Sequence, residues 1–544
     1  MSHLVYQHYP FEEASLAKNW RVASIGEVVL EVQPGFASGE HNKQGIGIPH
    51  IRPMNIDRNG RLDLTVLKHV APGAHALRLN SGDVLFNNTN SPELIGKTAP
   101  ISTGIDCGFS NHMTRLKLAT GVNYKFVAYQ LHLLWMAGYF LHRCVHHVNQ
   151  ASLSSSALTQ TVPLRLAPTA TQDRIVAKID ELFSELDAGT AALERVRAGL
   201  NRYRAAVLKA AVEGKLTEDW RAQHPDTEPA SALLDRILTE RRRKWEEAQL
   251  AKFVETGKQP PKGWQTSYPT PQTAPHKAPF ALPQKWAWAT ADQLTDETKS
   301  ITYGVIKLGE REKDGIPTLR SSNVRHLRLD LKGVKTISPE VASRYQRTFL
   351  EGGEILITVR GTLGGVVSVP LSCRGFNISR EVAMLALVDP SLSSTLALFI
   401  GSPPIQSLLK NSARGIAYTG INISDLKELP LPLTPQAEHS AIQSETERRL
   451  SIADEIDAQV EYNMTRTARL RQSILKRAFE GHLVPQDPTD EPAEQLLARI
   501  RQQREADAQA KGGRATARPR KASRKGGKAA PLSPEDGESQ GGQA

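Results

Sequence analysis

The sequence predicts an α+β protein. Two mixed α/β domains stand in tandem, each followed by a long helix, and the two helices pair as a coiled coil. Sliding the chain against itself by 267 positions aligns residues 162 to 216 with 429 to 483 without a gap, so that "NRYRAAVLKAAVEGKL" answers "ARLRQSILKRAFEGHL". Repetition at this scale means that one folding unit is written twice. Ahead of each matched block the correspondence loosens, with the offset drifting from 266 to 271: "GIPHIRPMNI" answers "GIPTLRSSNV", and "LNSGDVLF" answers "LEGGEILI". Each half is therefore one variable globular unit followed by one well-matched helical unit.

The elements follow in order. Residues 1–19 read as an N-terminal extension, with neither a basic start nor an uninterrupted apolar run. In 20–168, "IPHIRPMNI", "DVLFNN" and "TRLKLA" are short apolar or alternating runs bounded by Gly, Asn, Asp and Pro, which read as strands. A helix near 124–145 closes this domain; Gln130, His132 and Arg143 within its apolar run make it a buried amphipathic helix and not a membrane span.

Residues 169–250 form the first helical region. Ile175, Ile179, Leu182, Leu186, Leu193, Val196, Leu200, Tyr203 and Val207 follow the steps of three and four that keep one seam toward a partner helix, with Gly189 interrupting the apolar series. Residues 251–284 are an extended, semi-rigid linker, with seven prolines between 259 and 283. The second domain, 285–435, repeats the strand pattern in "IPTLRSSNV", "EILITVRG" and "EVAMLALV" and closes with a helix near 394–412. The second helical region, 436–507, keeps Ile442, Ile456, Val460, Leu470 and Ile474 on its seam, with polar residues between them. The tail 508–544 lacks apolar residues to bury and reads as disordered and basic.

Net charge is +11, of which about +5 sits in the last 34 residues, so the folded part is only mildly basic. Three widely spaced cysteines cannot build a disulfide framework and fit a reducing, cytoplasmic setting. No phosphate loop, HExxH or GxGxxG motif is present, and the [DN]PP[YF] tetrapeptide of amino-methyltransferases is missing. No catalytic residue is assigned. His142, Cys144, His146 and His147 lie close together, but no second ligand pair accompanies them and the second half has no equivalent, so they read as a polar helix end and no metal site is assigned.

The loops fit DNA readout better. Candidates are Arg52 and Asn55; Asn87, Asn88, Thr89 and Asn90; Arg320, Ser321, Ser322 and Asn323; Arg360 and Thr362; and Arg414, Tyr418 and Asn422. Arginine pairs with guanine edges, asparagine with adenine, and serine or threonine with either or with phosphate. Their recurrence at matching places in both halves lifts them above ordinary turn formers. Two rival readings are a stand-alone nuclease, which would need an acidic metal cluster, and a coiled-coil scaffold, which leaves the paired loops unexplained.

The order globular, helix, globular, helix resembles the specificity subunit of type I restriction-modification systems over about Trp20 to Arg504. "LPLPLTPQAEHSAI" and "VPLRLAPTATQDRIV" are similar to that family's "IPLPPLxEQxxIV" stretch, departing from it at His439 and Ser440 and at 171–173. The resemblance implies that the globular units are two target recognition domains, each reading one half of a bipartite, asymmetric site in double-stranded DNA. It implies that the helices pair antiparallel as a ruler, and that two methylation subunits and the restriction subunits dock on the chain for adenine methylation or cleavage. It also implies that this chain carries no cofactor, S-adenosylmethionine, Mg and ATP being bound by partner subunits.

Overall fold

The structure, a computed structural model, describes residues 9–11, 16–38, 40–71, 77–148, 150–273, 279–412 and 420–516, with side chains up to 506. It divides into two compact units: Met1–Gly189 with Arg466–Ala544, and Thr190–Thr465. The division falls inside both long helices, so each unit combines the globular domain of one half with helical segments from both.

In the first unit, Val29–Pro34, Met113–Leu118, Asp83–Asn87 and Thr98–Pro100 form, in that order, an antiparallel sheet. A smaller sheet orders Lys68–Val70, Ile48–Ile51 and Gly108–Phe109, the last pair parallel. Helix Tyr124–Met136 covers the larger sheet with Phe126, Val127, Leu131 and Leu134 fully buried or nearly so; the Asn123 side chain caps it by accepting from the Lys125 and Phe126 amides. It ends well before the expected 145, and Gly138, at φ 76°, turns the chain away. Strand Arg21–Ser24 pairs with Pro163–Leu166, bringing the start of the domain to its exit.

The second unit repeats these two sheets and this entry–exit pair. Thr302–Tyr303, Val382–Leu385, Ile355–Thr358 and Val366–Ser368 form the larger sheet; Lys335–Ile337, Ile316–Leu319 and Asn377–Ile378 form the smaller, again with one parallel pair. Ala287–Thr290 pairs with Pro430–Leu433. Two helices, Ser393–Gly401 and Pro403–Asn411, replace the single closing helix, because Pro403 removes an amide and forces a break. Among the described residues no single helix is long and apolar enough to cross a membrane.

The first long helix is Thr169–Val212 and the second His439–Phe479. In the first unit Asp187 pairs with Arg471; in the second, Arg197 pairs with Glu461 and Arg204 with Asp454 at 2.7 Å. The residue numbers of each pair total 658, the signature of two antiparallel helices in one register. A shift of 267 converts Asp187–Arg471 into Asp454–Arg204, so the repeat generates its own partner contacts.

The seam differs from the expected one beyond Gly189. Ile175, Ile179, Leu200, Val207, Ile442 and Val460 are buried and Leu182, Leu186, Leu193 and Ile474 half-buried, but Val196, Tyr203, Ile456 and Leu470 are exposed by 44, 42, 41 and 41 %. Arg471 is buried there instead, and Arg197, Arg204 and Asp457 are half-buried. A turn of 3.6 residues drifts against a 3.5-residue apolar repeat, and the ion pairs favour the face that carries them.

Two helices run past the expected bounds of their regions. The first long helix is followed by helix Ala230–Glu255, five residues beyond the expected 250, and the second by Ala493–Thr516, so the helix runs past 508 into what read as tail. The Pro-rich segment does not stand off: Trp264 stacks on Trp245 at 5.8 Å, and Arg241 donates to the Tyr268 hydroxyl at 2.7 Å. Phe11 of the N-terminal extension is buried, under the Arg165 guanidinium.

Candidate nucleic-acid interface

The repeated helix ending fixes where each domain sits within its unit. Gly214 and Gly481 end their long helices with φ of 74° and 78°, a conformation that glycine reaches without a Cβ clash. An added Cβ would meet Pro283 at Gly214 and Ala17 at Gly481, equivalent residues just ahead of the buried Trp286 and Trp20. Each helix end thus docks on the segment that leads into the first strand of the other half's domain. The helices that follow add an anchor: Arg241 Nε donates to the Thr295 carbonyl at 3.0 Å, and Arg504 Nη2 donates to that of Val29, the equivalent residue.

On each domain the loops after the central strand converge. In the first unit the amides of Asn88 and Thr89 both donate to the His112 carbonyl, at 3.0 and 3.3 Å. In the second, the amides of Val359 and Arg360 both donate to the Glu381 carbonyl, at 2.9 and 3.3 Å. Thr89 and Arg360 therefore occupy one structural position, and His112 and Glu381 another. Thr89 pairs with Ser152, and Arg360 with Gly420, through the same bridge.

The first unit forms a cleft of about 590 Å³ lined by His41, His50, Arg52, Asn90, Asn111, His112 and Gln150, among others. His50 lies buried against Phe36, with ring centroids 4.9 Å apart; burial pushes its pKa down to about 4, leaving it neutral at pH 7. In the second unit the Ser321 hydroxyl and amide donate to Glu381 Oε2 at 2.6 and 3.2 Å, and the Arg360 guanidinium lies 5.5 Å over the Tyr303 ring. The Tyr303 hydroxyl donates to the Ile421 carbonyl at 2.8 Å, which ties the strand to the segment before Asn422.

Several candidate residues build these loops and do not face out of them. Asn55 is buried, its amide donating to the carbonyls of Asp63 and Val66 at 2.9 and 3.0 Å; Asn323 is its counterpart, donating to Asp330 at 2.9 Å. Asn87 is fully buried and donates to the Leu94 carbonyl at 2.7 Å. A loop whose backbone carbonyls leave the sheet needs such a donor inside it. Ser322, Arg360, Thr362 and Asn422 are exposed, and Arg52, Asn88, Thr89, Asn90, Arg320 and Ser321 half-buried. Arg414 and Tyr418 lie outside the described residues.

No family model matches the chain. It is 28 % identical to the type I restriction enzyme EcoBI specificity subunit of Escherichia coli over 376 residues, 67 % of this chain and 68 % of that protein. With the EcoKI specificity subunit of Escherichia coli strain K12 it shares 24 % over 493 residues, 87 % of this chain and 91 % of that one. The chain is a type I specificity subunit. The fold of this specificity subunit matches a chain solved in a study of complex assembly in a type I R-M system, with a TM-score of 0.52 and 18 % identity over 86 % of this chain and 99 % of that one. It is a non-catalytic subunit, as its relatives named specificity subunits are.

Sequence reasoning missed His41, His50, His112 and Gln150 in the first domain of this specificity subunit, and Tyr303 and Glu381 in the second. Matching places in the two halves stand out in the sequence only where they carry similar residues. His112 and Glu381 match in place and differ in chemistry, and only the shared backbone bonds align them. Among the described residues no group of three or more His, Cys, Asp or Glu could hold a metal. His147 of the polar cluster instead lies 3.0 Å from the Ser152 hydroxyl, and Cys144 is buried.

Proposed function

We propose that this specificity subunit reads a bipartite, asymmetric site in double-stranded DNA, one half-site per domain, through the two equivalent loop clusters. The first reader comprises Arg52, Asn90, Asn111, His112 and Gln150. The second comprises Arg320, Ser321, Arg360, Thr362, Glu381 and Asn422. The observation that carries this reading is the equivalence of Thr89 with Arg360 and of His112 with Glu381: one scaffold presents different hydrogen-bonding groups in its two copies. Two identical readers would select a symmetric site, whereas different side chains at the same places select two different half-sites. A carboxylate at 381 suits a base-edge amino group, and an arginine at 360 suits a guanine edge.

Two methylation subunits and the restriction subunits complete the assembly in this reading, bind S-adenosylmethionine, Mg and ATP, and act in the cytoplasm. The test is single-molecule sequencing of DNA methylated by the assembled complex, before and after residues 20–165 are replaced by the equivalent domain of a relative. A bipartite motif with methylated adenine in both halves, of which one half alone changes on replacement, is the expected result. Change in both halves, or in neither, overturns the assignment of readers.

A further inference from the structure

Each unit contains one junction at which the start of a long helix meets the loop after the end of the other. In the second unit the start is Glu438, whose side chain is wholly buried. Its Oε1 accepts from the Thr217 hydroxyl and from Arg221 Nη1, both at 2.6 Å, and its Oε2 accepts from Trp286 Nε1 at 2.7 Å. In the first unit the equivalent start carries Thr171, which matches Glu438 in the repeat, and Arg174. Here the loop supplies the acid: Asp490 accepts from the Thr171 hydroxyl at 2.5 Å and from Arg174 at 2.6 Å. The Arg174 guanidinium holds the Asp490 carboxyl below the usual carboxylate range. Trp20, the counterpart of Trp286, donates to Gln486 of the loop at 3.0 Å and not to the helix start.

The two junctions are therefore equivalent in place and reversed in sign. We infer that they form a charge-coded lock by which a first half of this chain pairs only with a second half, and neither half pairs with a copy of itself. Most other contacts between the halves are indifferent to that choice. Asp187 and Arg204 lie in the same half, as do Asp454 and Arg471, so these two ion pairs form in any combination, whereas the pairs of Arg197 with Asp457 and Glu461 are lost between two second halves, which carry Met464 in place of that arginine. Gly214 and Gly481 dock on equivalent residues, and Arg241 and Arg504 reach equivalent carbonyls.

The junctions discriminate through buried charge. Two second halves would place the buried Glu438 against Asp487 and Asp490 with no arginine to receive it, and a buried carboxylate without its cation is strongly destabilising. Two first halves would bring Arg174 and Arg221 together without Asp490. The arginine rides on a loop of 217–227, four residues longer than its counterpart 484–490, so the lock sits where the repeat has diverged in length.

The experiment uses the full chain with a specific protease site inserted in the exposed segment 258–262. Two preparations with different tags are cleaved, mixed and followed by native mass spectrometry. The expected result is that halves stay associated and exchange tags only as first-with-second pairs, in about tenfold or greater excess over like-with-like pairs. Like-with-like pairs at comparable abundance, or halves that separate into single chains, overturn the inference. Asp490→Arg gives the second half's own loop the cation that Glu438 accepts, and pairs of second halves should then appear. A folded variant that forms none overturns it too, and should that variant fail to fold, the exchange of the unsubstituted protein decides alone.

Discussion

Arg360 shows how much of the site a single side chain can carry. It extends from the loop after strand Ile355–Thr358, exposed, with its guanidinium over Tyr303 and its amide held by the Glu381 carbonyl, so the backbone is fixed while the tip is available. If it reads a guanine edge, Arg360→Ala relaxes one position of one half-site at a cost of about 1–3 kcal/mol, seen as a broadened methylation motif. Uniform weakening over all sequences, with a shallower salt dependence, would mark a phosphate contact instead. At the other extreme of burial, His132 Nε2 donates to the Arg58 carbonyl from the interior of the first unit, and burial lowers its pKa to about 4. The folded pKa lies below the unfolded one, so the unfolded chain binds the extra proton. The stability that neutral His132 contributes is fully present above pH 6.5 and is lost as pH falls toward 4. Chemical-denaturation midpoints of His132→Gln should therefore fall less steeply between pH 6.5 and 4 than those of the unsubstituted chain; an unchanged slope would refute the assignment.

At the scale of elements, the two helix endings make equivalent contacts of unequal tightness. An added Cβ at Gly214 comes within 2.4 Å of Pro283 Cγ, whereas at Gly481 its nearest neighbour is the Ala17 Cβ at 3.4 Å, an ordinary contact. Both glycines have positive φ, so alanine costs about 1–2 kcal/mol of backbone strain at each. Gly214→Ala must in addition push back Pro283, just ahead of the first strand of the second domain. Urea unfolding is expected to show Gly214→Ala the more destabilised by at least about 1 kcal/mol, and equal losses would mean that this docking is loose. The same comparison shows why the a/d pattern misplaced Val196, Tyr203, Ile456 and Leu470. An apolar stripe marks which residues could be inside, but Arg204 with Asp454 and Arg471 with Asp187 fix which face turns inward.

For the molecule as a whole, the proposed reading predicts that the paired helices set the spacing between half-sites. Lengthening the chain after Leu216 does not test this, because that residue belongs to the short 3₁₀ turn Lys215–Thr217 beyond the helix end, where it would displace Arg221 from Glu438. The change has to be made in both helices at paired points: one heptad after Gly189 and one after Ala468, which keeps the antiparallel register. Seven helical residues add about 10.5 Å of rise, or about three base pairs of DNA at 3.4 Å each. The methylation motif should keep its half-site letters and gain about three unspecified positions; an unchanged gap at full methylation would refute the ruler.

The repeat, the strand-rich domains, the long helices and the loops that carry polar residues were all legible in the sequence, because periodicity and turn chemistry are local and duplication copies them. "LKAAVEGKL" and "LKRAFEGHL" announced a shared helix ending through their own glycines. What each ending touches was not legible, since Pro283 and Ala17 lie in the other half and no local pattern names a distant partner. The burial of Asn55, Asn87 and Asn323 escaped for the same reason: an asparagine that satisfies its own loop and one that faces a base have the same letters around them. Tertiary structure also decided that each compact unit takes helices from both halves. A long helix can bury only one face, and the antiparallel partner that covers it here comes from the other copy of the repeat.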